Sequence, residues 1–321
     1  MTNEQGLYLI YGGTGSLGRA ILERLTREGK EAVVYSRDEA KHHALRLECP
    51  GVRSIIGDIR DYASVLAALN EVRPAFVINA AAMKQIPLSE EFPYEAVLTN
   101  TMGAHHVVQA VREHCRGWHY TPLKVLSIST DKVVKPVNSY GMTKALQERI
   151  HLRGNNPPHA VHTCVRYGNV LDSTGSMIPV FKARIARGEP LRLTDPNMTR
   201  FLLSLPQAVD LIFRALEDTE GGKIFVPKLR AARIADVAEV LIAASGKPIG
   251  IEVAGIRPGE KLHELLISEE EVPRTEEQGD VLVVRDINGT HRPGVAQEYS
   301  SKDNIMSQAE VRVFFETHGI I

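Results

Sequence analysis

Four side chains in one short stretch have the types and spacing for concerted acid–base chemistry. Asp131 and Lys132 follow residues 124–129 (KVLSIS), which read as a strand. Tyr140 and Lys144 follow near the start of a helix predicted over 138–153. Residues four apart share one helix face. Open α/β sheets place their chemistry just past the carboxyl ends of strands, where Asp131 and Lys132 fall. An acid, two amines and a phenol are thereby brought within reach of one another, a set suited to hydride transfer. A phenol of pKa ~10 must drop by roughly 3 units, worth about 4 kcal/mol, to be half ionised at pH 7. An ammonium one helical turn away acts in that direction. An isolated Tyr-x-x-x-Lys equally describes a surface pair on an amphipathic helix, so the surrounding elements decide between the two.

The amino-terminal part supplies such elements. Residues 7–11 (LYLIY) read as a buried strand. It runs into Gly12-Gly-Thr14-Gly15-Ser16-Leu17-Gly18, after which Leu17, Ile21 and Leu25 recur at helical spacing, with Gly29 as a plausible cap. Strand, glycine turn and helix form the dinucleotide-binding order. Gly12 makes the tight turn, Gly15 lets pyrophosphate approach the backbone, and Gly18 lets helix and strand touch. An oxidised nicotinamide then adds positive charge beside Tyr140. A second strand, 32–35, ends in Ser36-Arg37-Asp38; a hydroxyl and an Arg suit a 2′-phosphate and point to NADP. The alternative leaves Arg37 in solvent and gives the ribose to Asp38. A third strand ends at Asp58, a candidate acceptor for the adenine amine next to Ile59, and Asp61 caps the following helix, 62–72. A fourth, 75–79, opens into Ala80, Ala81 and Ala82, small enough for a flat cofactor, and then Lys84. A helix over 94–115 carries Asn100, placed beside the cofactor but read mainly as structural. Residues 160–167 are one more strand, ending in Gly168-Asn169. The alternation implies an α/β Rossmann-like, doubly wound parallel sheet over 1–170, with later segments returning to it.

Residues 171–321 read mainly as a smaller substrate lobe and a tail, including a strand over 280–286 and a helix over 307–319. Lys182, Arg200 and Arg257 are candidates for a diphosphate, because guanidinium and ammonium groups suit phosphate; each also fits a solvated cation. Lys84, Asn169, Ser176, Pro179, Thr194, Met198 and Glu260 complete the substrate candidates.

Bulk properties set outer limits. With 43% hydrophobic and 24% charged residues and a net charge of −1, the 321-residue chain offers no basic surface for nucleic acid or anionic membranes. Cys49, Cys115 and Cys164 are sparse and odd in number, which fits free thiols in a reducing compartment. The polar start, residues 1–6, and the absence of a long apolar run fit a cytoplasmic protein. His42-His43 and His105-His106 lack metal-binding spacing, and no metal is expected.

Several blocks in one order carry a resemblance. They are 35–39 (YSRDE), 82–87 (AMKQIP), 129–132 (STDK), 138–144 (NSYGMTK), 166–170 (RYGNV), 198–201 (MTRF) and 256–264 (IRPGEKLHE). Residues 7–267 resemble the extended short-chain dehydrogenase/reductase superfamily. Within it they look like the C5-inverting UDP-N-acetylglucosamine 4,6-dehydratases. Tyr11, Met142 and His106 depart from the family's usual residues. The resemblance implies that Tyr140, ionised with help from Lys144, removes the C4 hydroxyl proton while NADP takes the hydride. Thr130 bonds the C4 oxygen, Lys132 acts as base at C5, and Asp131 protonates the leaving C6 hydroxyl. Lys132 must then be neutral, and Lys144, Lys84 and burial are expected to lower its pKa. Lysine after the aspartate, where the retaining branch has glutamate, points to inversion. A UDP-sugar partner and a homo-oligomer, dimer or hexamer, are also implied. The rivals are a C4-epimerase or a 5,6-dehydratase on the same fold, and a non-catalytic NADP-sensing protein.

Overall fold

The computed structural model describes residues 6–117, 122–171, 173, 175–287 and 294–321. Residues 1–5, part of the polar start, lie outside them.

Short apolar runs alternating with helices build the main layer. It comprises β1 (Tyr8–Tyr11), α1 (Ser16–Arg27), β2 (Ala32–Ser36), α2 (Glu39–Glu48), β3 (Arg53–Ile56), α3 (Tyr62–Val72) and β4 (Phe76–Asn79). Next come α4 (Ile86–Glu91), α5 (Pro93–Ala96), a π-helical turn (Val97–Met102), α6 (Gly103–His114), β5 (Leu123–Ile128), α7 (Ser139–Gly154) and β6 (Ala160–Val165). Strands β1, β5 and β6 are buried along almost their whole length because helices cover both faces of a parallel sheet. Asp38 and Asp61 cap α2 and α3. Two features differ from the sequence reading. Helix α2 lies between the second and third strands, where no element was anticipated. The helix expected over 94–115 is interrupted by the π turn, which carries Asn100 inward.

Beyond β6 come β7 (Asn169–Val170), α8 (Met177–Ala186), β8 (Leu191–Leu193), β9 (Thr199–Leu203), α9 (Leu205–Leu216), β10 (Lys223–Pro227), β11 (Ala231–Arg233) and α10 (Ile234–Ser245). The chain ends with β12 (Ile251–Val253), β13 (Leu265–Ile267), β14 (Thr275–Gln278), β15 (Val281–Arg285), β16 (Tyr299–Ser300) and α11 (Gln308–Thr317). The main sheet runs β14-β15-β10-β6-β5-β4-β1-β2-β3. It is parallel from β3 to β10, and β15 and β14 form an antiparallel edge. Thus three strands from the second half of the chain complete the first half's sheet. Helix α9 and β13 join the main core, while α8, β8, α10 and α11 pack a second one that includes Ile178, Phe181, Leu193, Leu202, Val237 and Phe315.

Strand order reverses between β1 and β4, the crevice where such sheets bind ligands. Register lines up Tyr11, Asn79, Ser127 and Cys164 across β1, β4, β5 and β6. The residues that follow each of them therefore share one carboxyl edge.

Candidate active site

Two close approaches build the site. Asn138 caps α7, its Oδ1 accepting from Gly141 N at 2.7 Å. A Cβ on Gly141 would stand 2.3 Å from Lys132 O, so only glycine lets the helix start press against the turn Asp131–Val133. The buried face of α7 is polar, with Thr143, Lys144, Gln147, Glu148 and His151, while Met142 and Leu146 face outward. An isolated globular helix would be turned the other way.

Lys144 Nζ donates to Ile128 O at 2.5 Å and to Gln147 Oε1 at 2.8 Å. An ammonium has three donors, so one remains for a ligand or for Tyr140. Burial lowers its pKa to about 8, against the opposing charge of Glu148. Tyr140 was expected to be acidified by Lys144. Instead burial raises its pKa, and the groups that oppose this are the Lys132 charge and a hydrogen bond with Thr130.

Asp131 is fully buried, one oxygen accepting from Thr130 Oγ1 at 3.0 Å and from Lys132 Nζ at 2.9 Å. Its Oδ2 has no partner among the described residues. Burial raises its pKa, with Lys132 opposing. Lys132 departs from expectation. Burial does lower its pKa, but Asp131 and Glu264 outweigh that, and the net shift is upward. Glu264 Oε1 lies 3.5 Å from Nζ. Lys84 and Lys144 are not among the causes. The net effect favours the ammonium form of Lys132, held between Asp131 and Glu264.

The glycine turn fits a dinucleotide. Gly12 has φ +76°, and a Cβ there would lie 2.6 Å from Ala81 N, so β1 and β4 meet backbone to backbone. A Cβ on Gly18 would collide with Gly13 Cα at 2.4 Å. On Gly15 the nearest atom would be 3.4 Å away, leaving room in front of the α1 N-terminus, which no side chain caps. Ser16 and Leu17 open that helix. Thr14 Oγ1 lies 3.0 Å from Ser36 Oγ, joining the turn to β2. Arg37 is exposed, with Asp58 4.0 Å away. Asp38 caps α2, accepting from Lys41 N at 3.1 Å. Asp58 also accepts from Arg60 Nε at 2.8 Å, and His106 Nδ1 is 3.1 Å from Ile59 O. Ala80 and Ala81 follow β4, and Lys84 stands exposed beyond them. Asn100 spends its side chain on Met83 N, Met83 O and Thr143 Oγ1, at 2.8, 3.1 and 3.0 Å. Its geometry is that of a brace between the β4 loop and α7 rather than a cofactor contact. Tyr11, instead of facing the turn, bonds Val65 O and packs on Tyr35.

On the lobe side, unpartnered buried oxygens occur on Asn169, Ser176 and Glu260 among the described residues. Polar atoms left so are costly unless a ligand or water meets them. Pro179 and Lys182 lie on α8, Thr194 follows β8, and Arg257 is exposed. Arg200 is buried against Thr199 O and Glu264. Met198 packs in the second core, 4% exposed, where its sulfur accepts from Arg200. Two cavities of about 300 and 580 Å³ lie around Asn155 at the opposite end of the sheet and contain none of these residues.

The sequence reading missed Gly141, Glu264 and Arg166 as site-building residues. Arg166 is 2% exposed and uses all five donors. They go to Glu148 Oε1 and Oε2, to Glu271 Oε1 and Oε2, and to Leu266 O, at 2.8–3.0 Å. It ties α7 to the segment carrying Glu264. Asn138 adds a second tie, donating to Gly259 O at 2.7 Å. All three residues lay inside the blocks used for the resemblance; a glycine inside a predicted helix was a signal for Gly141, while nothing local distinguished Glu264 or Arg166. Among the described residues no His, Cys, Asp or Glu cluster could hold a metal, and no helix is long and apolar enough to cross a membrane.

Fold, glycine turn and the Tyr140–Lys144 helix together define a short-chain dehydrogenase/reductase architecture. The chain belongs to the polysaccharide biosynthesis protein family, whose sequence profile matches residues 8–286. It is 38% identical over 314 residues to a UDP-glucose 4-epimerase of Rickettsia conorii, covering 91% of this chain and 90% of that one. The crystal structure of Pen from Bacillus thuringiensis superposes with a TM-score of 0.91 at 32% identity over the whole of both chains. The dTDP-glucose 4,6-dehydratase DesIV of Streptomyces venezuelae, solved with NAD bound, shares the fold, with a TM-score of 0.71, 19% identity and coverage of 80% and 86%.

Proposed function

We propose that this protein is an NADP-dependent UDP-N-acetylglucosamine 4,6-dehydratase that inverts C5. The observation that carries the reading is the Asp131–Lys132 pair: a fully buried carboxyl bonded at 2.9 Å to a lysine, beside Tyr140. C4 epimerisation has no use for such a pair. Moving one proton along that hydrogen bond converts ammonium and carboxylate into amine and carboxylic acid. No proton is drawn from solvent, and desolvation by a seated sugar favours the uncharged form. The same transfer yields a base and an acid together, so the ammonium of the resting state is compatible with a base role.

Tyr140, as phenolate, takes the C4 hydroxyl proton as the C4 hydrogen departs as hydride. A bound nicotinamide dinucleotide supplies reversible storage of that hydride. With a ketone at C4, the C5 hydrogen becomes acidic and passes to the Lys132 amine. Asp131 gives its proton to the C6 oxygen, which leaves as water. The stored hydride would return to C6, a solvent-derived proton reaches C5 from the opposite face to complete inversion, and Tyr140 gives the C4 proton up to solvent. Two protons leave the sugar and two return, and the pair ends as it began.

Arg37 and Ser36 at the β2 end, with Asp38 engaged in its cap, support NADP over NAD. Arg200, Arg257 and Lys182 would meet the diphosphate. The exposed Tyr94, Val97, Met142 and Leu146 beside α7 support a homo-oligomer. A second reading, C4-epimerase, is favoured by the name of the Rickettsia relative. Incubation with UDP-N-acetylglucosamine in deuterated water separates them. The proposal expects a 6-deoxy-4-keto product with deuterium at C5, whereas an unlabelled galacto-configured sugar would replace it with epimerisation.

A further inference from the structure

During the proposed elimination Lys132 becomes an ammonium, yet in the active form its nearest partner, Asp131, is an uncharged acid. Only after the C6 oxygen has taken that proton does Asp131 regain charge. A second anion beside Nζ would stabilise the ammonium as it forms, and Glu264 is placed there. Its Oε1 is 3.5 Å from Lys132 Nζ. The carboxylate is 2% exposed and bears on no sugar-facing role assigned above.

Its backbone is pinned. Glu264 N donates to Ser301 Oγ at 2.9 Å, and Ser301 N donates to Glu264 O at 2.9 Å. Lys261 Nζ stands 3.5 Å from Oε2 and Arg200 Nε 4.0 Å from Oε1. Three cations thus surround Glu264 and keep it ionised although burial opposes this. Around Lys132 the charged and titratable groups are Asp131 on its own turn, Tyr140 on α7, Glu264 before β13 and Arg200 on β9. His263, adjacent to Glu264, is turned to Thr199 Oγ1 at 2.8 Å.

We propose that Glu264 is the permanent counter-ion of Lys132: a positioning residue that sustains the lysine's proton affinity while Asp131 is protonated. This rests on the reading of Lys132 as the C5 base. It predicts that basicity is set by a residue far from the Asp–Lys motif in sequence. A charge removed from 3.5 Å should lower the lysine's pKa by about one unit or more, a tenfold loss of proton affinity.

The test has two arms. In the first, protein labelled with 13C at lysine Cε is titrated by NMR, with Lys132→Ala identifying the Lys132 signal. Wild type is expected to stay ammonium to about pH 11, and Glu264→Gln to titrate at least about one unit lower. Glu264→Asp should fall in the same direction by less, and it replaces Glu264→Gln if that variant does not fold. A Lys132 midpoint that is not lowered in the folded variants overturns the proposal. In the second arm, deuterium exchange at C5 of UDP-N-acetylglucosamine should slow about tenfold or more in Glu264→Gln while NADP binding is kept. Absence of turnover by wild type would sink the dehydratase reading and leave the titration result standing. A shifted titration with unslowed exchange would remove Glu264 from catalysis.

Discussion

Lys144→Met gives a sharp test of how the site is charged. Lys144 is 2% exposed, and its pKa lies near 8 against 10.5 for the free side chain. Between those values the unfolded chain binds a proton that the folded chain has released. Wild-type stability must therefore rise with pH across that window. The difference of about 2.5 units is worth about 3 kcal/mol at 1.36 kcal/mol per unit. Methionine fills similar space and has no proton to release, so its stability lacks this rise. Loss of the bonds to Ile128 O and Gln147 Oε1 adds a penalty that does not vary with pH. The absolute ranking of the two proteins is thus secondary, and the change in their difference is the observable. Urea unfolding of both, without cofactor, from pH 7 to 10.5 should show wild type gaining about 3 kcal/mol relative to Lys144→Met, nearly all of it above pH 8. A difference that stays flat over that range would refute the charge state assigned to the catalytic helix. For activity the sign reverses: catalysis that needs the ammonium should decline as pH rises through about 8.

Further outcomes follow from the same geometry. Lys132→Ala should bind NADP normally and lose C5 deuterium exchange by about 10²–10⁴-fold, and undiminished exchange would remove Lys132 as the base. Arg166→Met leaves buried Glu148 without its ion-pair partner and Glu271 with only Arg274 at 3.7 Å, and should cost about 3–5 kcal/mol. For a chain of 321 residues that lowers Tm by about 4–7 °C, read by calorimetry, and a shift below about 1 °C would mean the network carries little. Arg37→Ala should weaken NADP binding about tenfold or more in fluorescence titration and barely alter NAD binding. Equal losses for both would point away from a 2′-phosphate at Arg37.

What the sequence disclosed was what short-range rules govern. Tyr140 and Lys144 share a face because they are one helical turn apart, and Gly12, Gly15 and Gly18 declare a turn by their spacing alone. The ionisation of Lys132 was misjudged for the opposite reason. Burial and neighbouring lysines were weighed, but the deciding charge, Glu264, arrives from the segment before β13, far along the chain. Likewise Arg166 meets Glu271, 105 residues away, and no local pattern marks that pairing. Asn100 sits close to ligand-facing residues in the chain, yet folding spends its side chain on bracing. Gly141 could have been found, since a glycine inside a predicted helix calls for a packing reason.

The late completion of the main sheet bears on how the chain is made. Until β10 emerges from the ribosome, β6 has one flank unpaired, and every one of its six residues is destined for burial. A nascent chain paused between β6 and β10 therefore offers a sticky edge to its neighbours. The cofactor half cannot be harvested as a stand-alone module by cutting at residue 170, and expression of such a fragment should yield aggregates where the full-length chain stays in solution.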